Sequence, residues 1–77
     1  GDHNKEAVMR YFTSCLPFIE DSTIIVFDDI YWSAGMTDSW HEIFQHKKVM
    51  LSLDIYRMGI VFFKHTNKEK QHFQVWY

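Results

Sequence analysis

No stretch of this sequence approaches the roughly 18 consecutive apolar residues that a membrane-spanning helix needs, and no charged-then-apolar leader opens it. No membrane partner and no secretion are therefore expected, and by those missing signals the protein is placed in the cytoplasm. Cysteine is nearly absent. The single Cys15 excludes an internal disulfide framework, suits a reducing compartment, and falls among apolar helix positions where a thiol is buried and inert. There is no basic cluster and the net charge is -2, which removes the electrostatic footprint of a nucleic-acid groove. Glycine is scarce and scattered, at Gly1, Gly35 and Gly59, so no glycine-rich loop is present. No internal repeat or low-complexity segment is visible.

What is abundant is large apolar surface. Hydrophobic residues make up 47% of the 77 and aromatics 18%, more than a small two-layer domain can enclose. Part of that surface is expected to meet a partner or a further part of the chain. With Gly1 in place of an initiator Met, residues 1–77 read as a single partial domain, a fragment of a longer protein.

One stretch organises the rest. In Thr23-Ile24-Ile25-Val26-Phe27-Asp28-Asp29-Ile30 a continuous apolar run meets two carboxylates, the pattern of a strand buried on both faces whose carboxyl end opens onto a site. Before it, Val8, Tyr11, Phe12, Cys15, Leu16 and Ile19 recur at helical spacing, predicting a helix from Asn4 to about Ile19 that weakens at Pro17. After it, Met36, Trp40, Ile43 and Phe44 share one face of a second helix, from about Ser33 or Met36 to His46, with Ser33 or Thr37 as its cap. From Val49 to Tyr56 the period changes to two, giving a half-exposed strand at or near an edge. Arg57-Met58-Gly59 reads as a turn and Gly59 to Phe63 as an interior strand. The short link makes the pair an antiparallel hairpin. Residues 64–71 are polar and expected to be mobile at their centre, while 72–77 have the character of a short terminal strand. Tyr11, Phe12, Trp40, Phe44, Phe62 and Phe63 are expected in the core, and the histidines in the tail, His65 and His72, carry no assigned chemistry.

The element order, helix-strand-helix-strand-strand with an antiparallel terminal hairpin, resembles the C-terminal half of a class I S-adenosylmethionine-dependent methyltransferase. That family has a Rossmann-like α/β fold whose seven-stranded sheet carries a reversed last strand inserted beside its neighbour. Individual words agree with the bacterial O-methyltransferase-like branch. Gly1-Asp2-His3 resembles the word that closes the fourth strand, and Phe27-Asp28-Asp29-Ile30 the word that closes the fifth. Asp29-Ile30-Tyr31-Trp32-Ser33 and the segment from Ile55 to Phe63 are similar to longer words of the same branch. The resemblance implies O-methyl transfer to a small-molecule hydroxyl, with S-adenosylmethionine as methyl donor and a divalent cation such as Mg²⁺ in metal-dependent relatives. It also implies that the cofactor sits over the first three strands, which this sequence does not contain, so the fragment alone is expected to be inactive and to need its missing N-terminal half.

Residue roles follow from the same likeness. His3 is the candidate general base and Asp28 the second candidate catalytic residue, Trp32 the candidate acceptor-stacking residue, and Asp28 with Asp29 the candidate metal ligands. Each has a plainer alternative: a solvated or capping His3, turn and cap carboxylates at 28 and 29, and a packing role for Trp32. Because Asp28 and Asp29 alternate along an extended chain, only one should face a crevice. The rival to catalysis is a stand-alone α/β binding module, a homo-oligomer formed through the exposed edge of its sheet.

Overall fold

Apolar residues at three- and four-residue spacing bury one side of the first helix, α1 (His3–Cys15), around Phe12. The computed structural model describes residues 3–65 and 69–76, with side chains from Lys5 onward. Val8, Met9, Cys15, Leu16 and Ile19 pack against the core alongside Phe12. Tyr11 does not: it is 58% exposed, because Met9 and Leu16 turn the buried arc away from it. Cys15 is half-buried. Pro17 has no N–H to continue the ladder, and the α-helix stops at Cys15 to close as a 3₁₀ turn over Leu16–Phe18.

The chain then forms β1 (Ile24–Asp28), α2 (Ala34–Gln45), β2 (Leu51–Asp54), β3 (Met58–Phe62) and β4 (Gln71–Gln74). Ser33 caps α2, its hydroxyl accepting from the Met36 amide at 3.1 Å. The protein is thus a small α/β domain with two helices and a four-stranded mixed sheet of order β1-β3-β2-β4. β3 is antiparallel to β1 and β2, and β4 runs parallel to β2. The expected hairpin is present, and the terminal segment does dock as a strand. It takes the outer place, so β2 lies second from the edge. The centre of the polar segment, 66–68, falls outside the described residues.

Both helices cover one face of the sheet. Its rows run Ile25-Val61-Ser52-His72 and Phe27-Gly59-Asp54-Gln74 across the strands. Trp40, Phe12, Ile43, Ile30, Val49 and Phe63 close over them. Gly59 is required there, since a Cβ would come within 2.4 Å of two ring carbons of Trp40. The other face carries Ile24-Phe62-Leu51 and Val26-Ile60-Leu53-Phe73, and no described element covers it. Ile24 is 56% and Val26 53% exposed. The expectation of a strand buried on both faces is corrected accordingly: β1 alternates exposed and buried positions along its whole length. β2 also turns its polar residues inward, with Ser52 and Asp54 buried and Leu51 and Leu53 half-exposed on the open face. Phe62 shares that open face and is only half-buried.

Candidate functional site

Because β1, β2 and β4 all run the same way, their carboxyl ends share one rim of the sheet, where α/β folds place their ligand crevices. The rim holds Asp28, Asp29, Asp54, Gln74 and the β2–β3 turn, Ile55-Tyr56-Arg57. The Arg57 carbonyl accepts from the Asp29 amide at 2.7 Å, which ties the turn to the end of β1. Asp29 and Tyr56 have φ of 54° and 73°, and they are the only non-glycine residues with positive φ among those described. Backbone strain therefore collects at this rim.

Under the rim lies a polar anchor that sequence reasoning missed. Asp54 is 1% exposed. Its carboxylate accepts from the Tyr31 hydroxyl, from the Trp76 indole N–H at 2.9 Å and from the Tyr56 amide at 2.9 Å. Burial pushes its pKa up, but these donors outweigh burial and hold the carboxyl below the usual carboxylate range. Tyr31 responds in the opposite sense: burial, together with the hydrogen bond to Asp54 and its charge, pushes the phenol up to about 12. The buried Trp40 indole N–H also helps to lower the Asp54 carboxyl, although it falls outside regular hydrogen-bond geometry.

Three rings stand on this anchor. Tyr31 and Tyr56 stack with centroids 5.7 Å apart, and Trp76 meets them edge-on at 5.6 and 5.2 Å. Two of them, Tyr31 and Tyr56, line a cleft of about 300 Å³ together with Asp29, Trp32 and Arg57. Trp32 is 79% exposed, so it does not serve as packing in this domain. Asp29 lines the cleft, while Asp28 lies on the uncovered face of the sheet, paired in register with Met58. The carboxylate pair is split, as its alternation requires. The side chain of His3 lies outside the described residues. Among those described, no group of three or more His, Cys, Asp or Glu converges on a possible metal position.

A second polar contact was also missed, near the middle of β2. His72 Nδ1 lies 2.6 Å from the Ser52 hydroxyl, and its ring stacks on Phe44 at 3.8 Å. Burial lowers its pKa, with His41 and Lys70 adding to that and Asp54 opposing it. The sequence signal for both contacts is the parity of Ser52 and Asp54, polar residues alternating with leucines, which suits either face until the helices choose one. Among the described residues no helix is long and apolar enough to cross a membrane. Compared with models of protein families, with curated proteins and with solved structures, the chain finds no match.

Proposed function

We propose that the chain is the C-terminal part of a class I S-adenosylmethionine-dependent methyltransferase, and that the intact protein methylates a hydroxyl of a small molecule. The observation that carries this reading is the strand order. β3, the second arm of the hairpin, is reversed and inserted between β1 and β2, and both helices lie on one side. That is the arrangement the resemblance implies for strands five, seven and six. The free edge of β1 and the bare apolar face offer the missing half of such a domain a place to join.

No described residue is assigned to the cofactor, and with no convergent ligand set no step is routed through a cation. When bound, S-adenosylmethionine supplies a methyl carbon made electrophilic by its sulfonium. This chain orients the acceptor and takes its proton. The hydroxyl proton of the acceptor would pass to a base at the rim. Asp28 and His3 are the proposed bases, with Trp32 stacking on the acceptor. The test is Asp28→Asn in the intact protein. Asp28 is exposed, so stability should change by no more than about 0.5 kcal/mol, while methyl transfer should fall about 100-fold. Equal activity of the two proteins removes Asp28 from the site.

A second reading rests on the same open surface. Antiparallel alternation, with the Asp29 amide directed at β3, turns the main-chain groups of Ile24, Val26 and Asp28 to the free edge. Two copies can pair there as a dimeric binding module without catalysis.

A further inference from the structure

The cleft at the rim has two features that its packing does not explain. Its back wall is held rigid, because the Tyr31 hydroxyl and the Tyr56 amide are both tied to the buried Asp54 carboxylate. A wall of fixed rings loses little freedom when a flat ligand stacks on it. Its mouth carries one cation and one anion that leave each other alone. Arg57 and Asp29 share a backbone hydrogen bond, yet their side chains form no ion pair among the described residues. Both are exposed. An exposed tryptophan, Trp32, completes the lining.

We propose that this cleft binds a hydroxylated aromatic carboxylate. The ring lies between Trp32 and Tyr56, the carboxylate pairs with the Arg57 guanidinium in the two-pronged geometry that arginine favours, and the ring hydroxyl donates to Asp29. Neither a neutral phenol nor an unhydroxylated acid uses both charges. The cleft volume, about 300 Å³, suits a single ring with small substituents. The binding of this ligand does not rest on the reading of the chain as part of a methyltransferase.

The test is a ligand-observed NMR titration of the intact protein with 4-hydroxybenzoate, benzoate and phenol. A ligand of this size should bind with Kd of about 1 mM. Benzoate and phenol should each bind about fivefold or more weakly, and Arg57→Met and Trp32→Ala should each weaken 4-hydroxybenzoate about tenfold. Lys47→Met makes the same charge change beyond the far end of α2 and should leave binding as it was. Phenol binding as tightly as 4-hydroxybenzoate, an Arg57→Met chain within twofold of the parent, or no saturable binding overturns the proposal. An intact protein that binds S-adenosylmethionine while its cleft ignores 4-hydroxybenzoate loses this inference alone. A cleft that passes the titration in a protein with no affinity for the cofactor keeps the binding site and loses the methyltransferase.

Discussion

Gly59→Ala separates two opposing physical expectations by sign. Glycine in a strand interior costs roughly 0.5–1 kcal/mol relative to alanine through backbone entropy. Its φ is not positive, so on conformational grounds alone alanine should stabilise β3. The structure predicts the reverse. An alanine Cβ would lie 2.4 Å from two ring carbons of Trp40 and 2.8 Å from a third, about 1 Å inside ordinary contact. The obstacle is a rigid ring, itself 1% exposed and packed on Phe27 at 6.4 Å and Phe44 at 5.4 Å, so it cannot swing aside. Overpacking of this kind costs about 1–3 kcal/mol, and the net loss after the backbone gain is about 1–2 kcal/mol. In a domain of this size that lowers Tm by about 4–16 °C. Urea denaturation of the two proteins measures it directly, as a lower midpoint at unchanged slope. An alanine variant as stable as the parent, or more so, would refute the packing of α2 on the sheet.

Asp54→Asn should cost about 2–4 kcal/mol and loosen Trp76, since an amide sets an N–H₂ against the donors that converge on the carboxylate. Near-UV circular dichroism and urea midpoints check both effects. Acid should destabilise the protein in two windows. Burial lowers the pKa of His72, and likewise of His46, whose neighbours Lys47, Lys70 and Lys48 add to the effect. The stability each contributes is complete above about pH 6.5 and is lost as pH falls through the lower folded value. Asp54 is also lowered, so its contribution is present above about pH 4 and disappears below it. A melting temperature that stays flat from pH 7 to pH 5 would contradict the histidine assignment. The chain alone should self-associate through the free edge of β1, and Val26→Lys, which places a charge on that exposed strand, should shift it toward monomer in light scattering. A parent chain that is monomeric at high concentration counts against pairing at that edge.

Helical spacing places both helices to within a few residues, because Phe12, Trp40 and Ile43 sit on arcs that only one packing can bury. The hairpin follows from the short link between Asp54 and Met58, since a parallel crossover cannot fit. The facing of β2 could not be read in the same way. Alternating leucines and polar residues predict a buried leucine face only when the other face meets water. Here the polar face lies under α2, where Asp54 finds its donors on Tyr31 and Trp76, 23 and 22 residues away. Long-range partners of that kind leave no local trace. For β1, an apolar run signals two covered faces whether or not the covering is part of the chain in view. Of the candidate residues, the 28–29 pair is legible from position, at a strand end, whereas the stacking role of Trp32 enters only through the family resemblance. Arg57 and the aromatic wall became candidates only once the strand ends were brought to one rim.

If these residues complete a methyl-transferring domain, the native protein binds S-adenosylmethionine. Equilibrium binding of radiolabelled S-adenosylmethionine to the native protein, isolated at its full length from its source cells, tests it most directly. Saturable binding is expected at one site per chain, displaced by S-adenosylhomocysteine, in a protein of roughly 200 residues or more, the size of a complete domain of this kind. A native protein that binds none of the cofactor would contradict it, and the open sheet would then be the contact surface of a binding module.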